Sequence, residues 1–128
     1  MKYEDEKHLL NYDTMDTLHK EFVDIYNSLV DETAQSYKNV MMKMLEQSKK
    51  HFCEEETLMD TYKYPRAREH KDEHNKVLAE MEYFMSKSNT KMGQMLIKSY
   101  YREKLPSWFD LHLISMDSDL SSFLKNNS

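Results

Sequence analysis

The sequence predicts an all-α protein, an up-down-up-down antiparallel four-helix bundle with an N-terminal arm. The first observation is the scarcity of turn residues, since the 128 residues include one glycine (Gly93) and two prolines (Pro65 and Pro106). β-Sandwiches and α/β folds need many turns and commonly use glycine in them. The second is the composition, because eleven methionines and long stretches of Glu, Lys and Leu favour helix. A chain of this length forms one domain, and a single glycine excludes a glycine-rich phosphate-binding loop.

Two amphipathic helices are predicted in the first half of the chain. Asp13 or Thr14 is the expected N-cap of the first helix, and its apolar stripe is Leu18, Phe22, Ile25 and Leu29. The second helix is expected to begin near Thr33 and to end before Tyr64, because the residue that precedes a proline avoids the α region. Its inward stripe is Tyr37, Met41, Met44, Ser48, His51, Glu55 and Leu58.

The second half of the chain predicts two further helices, separated by a loop over residues 86–93. Pro65 suits the opening of the third helix, whose inward stripe is His70, His74, Val77, Met81 and Phe84. Pro106 either kinks the fourth helix or starts a shorter one, and the inward row there is Ile97, Tyr101, Leu105, Trp108 and His112. Short loops make neighbouring helices antiparallel, so residues 13–124 form the predicted bundle, residues 1–12 the arm and residues 125–128 a frayed tail.

The charge balance and the cysteine count restrict the partners and the compartment. Lys and Arg number 18 against 23 Asp and Glu, a formal net charge of −5 without a basic run, which argues against nucleic acid or an anionic membrane as a partner. No apolar run is long enough for a transmembrane helix or a signal peptide. The single cysteine, Cys53, cannot form an internal disulfide. We therefore expect a soluble cytoplasmic protein, and the charged helix faces favour a monomer.

Histidine and glutamate occupy inward positions where leucine is expected. His51 and Glu55 are four residues apart, as are His70 and His74, so each pair projects from one helix face. In an up-down-up-down bundle these four residues, with His19 and His112, lie near the same end. Burying such groups is costly unless they have a partner, and their convergence predicts a metal site. His8 has no place in this pattern and is expected to be an exposed arm residue.

Four motifs together resemble the hemerythrin family, in its single-domain bacterial form. They are D-x-x-H from Asp16, H-F-x-x-E-E from His51, Y-P-x-x-x-x-H-x-x-x-H from Tyr64 and W-x-x-x-H-x-x-x-x-D from Trp108. The resemblance implies a non-haem di-iron centre with a bridging oxo or hydroxo group, and its ligands would be His19, His51, Glu55, His70, His74, His112 and Asp117. Asp117 rests mostly on the resemblance, because it lies about 140° from His112 around an ideal helix. By spacing alone, Asp110 and Asp119 are alternatives.

The resemblance also implies how such a centre works. His70, His74 and His112 would hold one iron and His19 and His51 the other, with Glu55 and Asp117 spanning both. The iron with two histidines would keep an open position that binds O2 reversibly, for storage, delivery or scavenging, without enzymatic turnover. An apolar O2 pocket is expected from Phe22, Phe52, Trp108, Phe109 and Leu113. The family often has aliphatic residues at the positions of Phe22 and Phe109, and the bulkier rings here could change O2 access or autoxidation.

Two alternative functions use the same centre. One is an enzyme that reduces peroxide or nitric oxide, although the sequence shows no motif for a redox partner. The other is an oxygen or redox sensor, which would need a separate signalling partner protein. A structural zinc bundle is disfavoured, because seven ligands are too many for one tetrahedral site. Around the centre, Glu54 and Glu56 are expected on a solvated face, and Asp16 is a candidate to support His19.

Overall fold

The computed structural model describes residues 1–127, and within that range the chain contains helices and no strands. The predicted all-α class is therefore confirmed. The elements are α1 (Asp5–His8), α2 (Asp13–Tyr26), α3 (Ala34–Thr61), α4 (Ala67–Ser86), α5 (Lys91–Ser99), a first π-helical turn (Tyr100–Lys104), α6 (Leu105–His112), a second π-helical turn (Leu113–Asp117) and α7 (Ser118–Asn127). None of these helices is long and apolar enough to span a bilayer.

Residues at the helix ends explain where several helices begin. The Thr33 side chain caps α3 by accepting a hydrogen bond from the Ser36 N–H at 3.2 Å. Thr90 caps α5 in the same way, through the Gly93 N–H at 2.9 Å. A Cβ atom on residue 93 would lie 1.7 Å from the carbonyl oxygen of Lys87, so this close approach requires glycine. The predicted loop over residues 86–93 is accordingly shorter than expected, because α5 begins at Lys91.

The fourth helical segment continues past Pro106 without a break. Ser99, Leu105, Leu113 and Ser118, at the junctions of its parts, all have α-helical backbone angles. The first π-helical turn lies immediately before Pro106, and its widened ladder joins the Leu105 N–H to the Tyr100 carbonyl. A proline lacks the N–H that an α-helical ladder needs and clashes with the preceding turn. The helix therefore accommodates Pro106 by widening. At the other end, the predicted tail is helical as far as Asn127, and Ser128 lies outside the described residues.

The core fills the space between the four long helical segments. Its largest cluster joins α2, α3, α4 and the fourth segment through residues such as Phe22, Met44, Met81 and Leu113. A smaller apolar cluster, around Met15, Met59 and Leu120, lies on the other side of the level that the histidines occupy. The histidines of these segments meet at one level although they come early in α2 and α4 and late in α3 and α6. This arrangement is the antiparallel alternation that the sequence predicts.

The N-terminal arm packs on the bundle, and the prediction of an exposed His8 is wrong. His8 is 2% exposed. Its Nδ1 accepts a hydrogen bond from the Glu4 N–H at 2.9 Å, so the ring proton is on Nε2, which donates to Asp110 Oδ1 at 2.9 Å. The other oxygen of Asp110 accepts from Lys7 at 2.8 Å. The arm thus contacts α6 at the residue next to Phe109, whose ring centroid lies 5.6 Å from that of His8.

Candidate metal centre

The structure brings together all seven residues that the sequence analysis lists as ligands. α2 supplies His19, α3 supplies His51 and Glu55, α4 supplies His70 and His74, and the fourth segment supplies His112 and Asp117. Each of the seven is at most 5% exposed. Because burying so many polar groups without partners is unfavourable, the site must be stabilised by interactions among them or with a bound ion.

The seven residues form two groups that share both carboxylates. Within each group, the possible ligand atoms lie within 4.8 Å of one another. The three-histidine group contains His70, His74 and His112, and the two-histidine group contains His19 and His51. In the three-histidine group, the His112 Nε2 lies 3.1 Å from that of His70 and 3.2 Å from that of His74.

Each shared carboxylate presents one oxygen to each group. Glu55 Oε2 lies 2.8 Å from His51 Nε2 and 3.5 Å from His19 Nε2, whereas Oε1 lies 3.3 Å from His74 Nε2. Asp117 Oδ2 lies 3.0 Å from His19 Nε2, whereas Oδ1 lies 2.9 Å from His70 Nε2. This is the arrangement that two adjacent cations bridged by two carboxylates would require.

The second π-helical turn explains how Asp117 reaches the site. In this turn the Ser118 N–H bonds to the Leu113 carbonyl, five residues back. Residues five apart therefore lie on nearly the same face, and Asp117 aligns with His112 although an ideal α-helix would separate them. The two alternatives lie elsewhere, because Asp110 bonds to the arm and Asp119 accepts from the Tyr64 hydroxyl.

The donor set fits bound cations. Two neutral imidazole nitrogens can share one proton, but the three Nε2 atoms of His70, His74 and His112 converge at about hydrogen-bond distance and cannot all be satisfied in this way. Glu55 Oε1 and Asp117 Oδ1 are buried without a hydrogen-bond partner among the described residues, although imidazole nitrogens lie close to both. Imidazole nitrogens and carboxylate oxygens are the ligands that iron and similar divalent ions accept.

Electrostatic interactions compensate the burial of the polar groups. Burial lowers the pKa of His19, but Asp117 and Glu55 outweigh this effect and raise it to about 10. Burial likewise opposes the charged form of His112, whose pKa Asp117 raises. Burial raises the pKa of the Glu55 carboxyl, but His51 and His19 hold it well below its usual range. The pKa of the Asp117 carboxyl is held low in the same way by His112 and His19. In the metal-free protein, the carboxylates therefore stay ionised and His19 stays protonated.

Two glutamates outside the predicted set lie beside the three-histidine group, one in contact with a histidine and the other with the tryptophan that stacks on a histidine. Glu56 Oε2 accepts a hydrogen bond from His74 Nδ1 at 2.9 Å, so Glu56 is half-buried at the edge of the site, whereas Glu54 is exposed as the sequence predicts. Glu73 accepts a hydrogen bond from the Trp108 indole at 3.0 Å. The sequence gives no local signal for either contact, because each partner lies on a different helical segment.

Asp16 does not contact His19 as the sequence analysis suggested. Its carboxylate accepts hydrogen bonds from the Leu10 N–H at 2.8 Å and from the Tyr12 N–H at 3.1 Å. Asp16 therefore joins the arm to the start of α2. The Nδ1 atom of His19 has no hydrogen-bond partner within residues 1–127.

Aromatic side chains surround the site on both sides. Phe109 meets the His19 ring edge-on at 5.9 Å and stacks on Phe22 at 4.5 Å. Phe52 stacks on His74 at 3.9 Å, and Trp108 stacks on His112 at 4.6 Å. Leu113, the fifth residue of the predicted pocket, is fully buried in the main core cluster. Of the five, Trp108 alone is half-buried.

Comparisons with known proteins identify the family and support the fold. The family model described as the hemerythrin HHE cation binding domain matches residues 10–121. A bacteriohemerythrin from Ralstonia nicotianae is 25% identical over 112 residues, which cover 85% of this chain and 78% of that protein. The fold is also similar to the crystal structure of a leucine-to-phenylalanine mutant, with a TM-score of 0.77 at 18% identity over 97% of this chain and 96% of that chain. On the match of the family model over most of its length, the chain belongs to the hemerythrin family.

Proposed function

We propose that the protein binds O2 reversibly at a non-haem di-iron centre, for storage, delivery or scavenging. The proposed ligands are the seven residues of the two groups: His19, His51, Glu55, His70, His74, His112 and Asp117. The proposal rests on one observation: the two groups share both carboxylates, but one contains three histidines and the other contains two. The group with one imidazole fewer leaves room for a small ligand.

The ligand types favour release of O2 over its cleavage. Two iron ions in this site would supply the electrons for reversible O2 binding. Carboxylate-rich centres in related bundles use Glu-x-x-His motifs and more anionic ligands, which stabilise highly oxidised iron. Here five imidazoles accompany only two carboxylates. The smaller negative charge is suited to a carrier rather than to an oxidising enzyme.

The aromatic residues exclude water from the site. Phe22 and Phe109 are proposed to line the O2 pocket beside His19, with Leu113 behind them in the core. Phe52 packs between the two groups, since its ring centroid lies 5.3 Å from that of His51 and 3.9 Å from that of His74. Trp108 covers His112 on the outer side. Water and reductants that enter a site of this kind destroy a reversible adduct, so an apolar enclosure is required.

Metal analysis combined with ultraviolet–visible spectroscopy tests the proposal. We expect two irons per chain and a colourless protein after anaerobic reduction. Exposure to air should produce a charge-transfer band that disappears when O2 is removed. His74→Ala is the matched variant, and it should lose one of the two irons or the reversible band.

Other outcomes would assign a different function. Two irons that pass directly to the oxidised spectrum, with no reversible band, would favour a sensor or a peroxide- or nitric oxide-reducing enzyme. Turnover that depends on an added reductant would then identify the enzyme. A single zinc, or a His74→Ala variant with two irons and normal O2 binding, would contradict the proposed centre.

A further inference from the structure

One candidate ligand differs from the other four in the environment of its second ring nitrogen. The Nδ1 atoms of His19, His51, His70 and His112 are buried without a hydrogen-bond partner among the described residues. The Nδ1 of His74, by contrast, lies 2.9 Å from Glu56 Oε2. A carboxylate therefore contacts one imidazole of the site from outside the ligand set.

This contact fixes the tautomer of His74. A carboxylate only accepts hydrogen bonds, so the Nδ1 of a neutral His74 carries the proton and donates it to Glu56. The lone pair is then on Nε2, which points to Glu55 and His112 inside the site. A negative charge on the far side of the ring also strengthens Nε2 as a donor to a cation.

The position of the His74 ring is fixed as well as its tautomer. Phe52 stacks on the ring with centroids 3.9 Å apart and planes 5° from parallel. Phe52 and Glu56 both lie on α3 and are one helical turn apart, whereas His74 lies on α4. Two contacts from one helix thus hold a ligand of the next, and the Glu56 side chain stays 28% exposed at the surface.

We propose that Glu56 is a positioning residue that makes the three-histidine group the tighter of two metal sites. This inference rests on the proposed di-iron centre, but it does not depend on O2 binding. The two-histidine group has one imidazole fewer, and neither of its Nδ1 atoms has a partner. The two sites should therefore bind a divalent cation in two steps, the tighter one involving His74.

Titration of the metal-free protein with Co²⁺ tests the proposal, because the visible bands of Co²⁺ report each step directly. Removal of such an outer partner costs about 10- to 100-fold in metal affinity. Glu56→Gln keeps an acceptor without the charge and should weaken the tighter step about tenfold, and Glu56→Ala should approach 100-fold. The weaker step should stay unchanged. The control is Glu54→Gln, at an exposed position of the same helix, which should leave both steps as they are.

A double-mutant cycle shows whether Glu56 acts through His74. In a His74→Ala background, Glu56→Gln should have no further effect on Co²⁺ affinity. Circular dichroism of each metal-free variant establishes that the fold is retained. The proposal is overturned if both Glu56 variants bind Co²⁺ like the wild type, if the weaker step changes instead, or if the effect persists without His74. If the wild-type protein does not bind O2 reversibly but the Glu56 variants still weaken the tighter Co²⁺ step, only the proposed function is contradicted.

Discussion

The two halves of the metal centre share their carboxylates but differ in what surrounds their histidines. On the three-histidine side, Glu56 holds His74, and Trp108 stacks on His112 while its indole N–H donates to Glu73. On the two-histidine side, His19 and His51 have no partner at Nδ1 among residues 1–127, and the Phe109 ring meets the His19 ring edge-on. Aromatic rings therefore cover both halves, but the three-histidine half also has polar contacts that reach the surface.

This difference indicates that the two halves have different roles. Polar contacts behind a ligand fix its orientation and strengthen it as a donor, which suits a half that retains its metal. Apolar rings exclude water without competing for the metal, which suits a half that exchanges a small neutral ligand. Substitutions of residues that belong to both halves, or to one half only, test whether the two halves have these different roles.

Removing a shared carboxylate should have the largest effect, because it damages both halves at once. Asp117→Ala should reduce metal binding from two ions to at most one. It also leaves the Nε2 atoms of His19, His70 and His112 without the buried carboxylate oxygens that lie 2.9–3.2 Å from them, so the metal-free protein should lose about 3–5 kcal/mol of unfolding free energy. Metal analysis and urea unfolding measure the two effects. Asp119→Ala is the control. If Asp117→Ala loses metal and Asp119→Ala does not, the loss results from removal of a ligand and not from a change in surface charge.

Single histidine deletions should separate the two halves. His19→Ala should retain one tightly bound ion, because the three-histidine group and Glu56 are intact, but it should lose O2 binding. His74→Ala should weaken the tighter ion instead. Iron content and the Co²⁺ titration distinguish these results. Equal metal loss in the two variants would mean that the halves are not different in affinity.

The pH dependence of stability should come more from His19 than from His112. The pKa of His19 is raised from 6.5 to about 10, so the folded metal-free protein binds more protons than the unfolded chain between these values. The contribution of His19 to stability is then complete below about pH 6.5 and falls as pH rises towards 10, by at most about 1.4 kcal/mol per unit for one proton. Urea unfolding at several pH values should show this fall. His19→Asn should flatten it more than His112→Asn does, and an unchanged slope would contradict the assignment.

Metal binding should show the opposite pH dependence. A cation can bind His19 only after the ring has lost its proton. The apparent affinity of the two-histidine half should therefore increase with pH up to about 10, the pKa to which Asp117 and Glu55 raise His19. Isothermal titration with Co²⁺ in buffers of different ionisation enthalpy should detect the released proton. A binding step without proton release at pH 7 would show that His19 is already neutral.

The helices and the histidine cluster could be predicted from sequence because both depend on local periodicity. His51 and Glu55, or His70 and His74, are four residues apart and therefore share a face in any α-helix. The alternation of four helices then determines that these pairs meet at one end. No knowledge of individual tertiary contacts is needed for this step.

The remaining features depend on contacts that spacing does not reveal. Asp117 could not be derived from an ideal α-helix, since its alignment with His112 requires the π-helical turn over Leu113–Asp117. His8 is buried because its partner, Asp110, lies 102 residues away in sequence. Glu56 and His74 belong to different helices, so neither residue alone predicts the pair. The helices themselves could therefore be predicted from the sequence, whereas contacts between side chains of different helices could not.

The smallest effect should follow from changing the apolar wall of the two-histidine half. Phe109 stacks on Phe22 and lies edge-on to His19, so within the metal centre Phe109→Leu opens space beside His19, and on the arm side it opens space beside His8. The cost in unfolding free energy should be about 1–2 kcal/mol, as for a moderate loss of buried volume. Metal content should not change, but O2 should enter and leave faster, and the reduced protein should oxidise faster in air. Stopped-flow mixing measures the entry rate. Phe52→Leu, which mainly alters the packing on His74, should change metal affinity more than O2 entry, and the reverse result would place the O2 pocket on the three-histidine side.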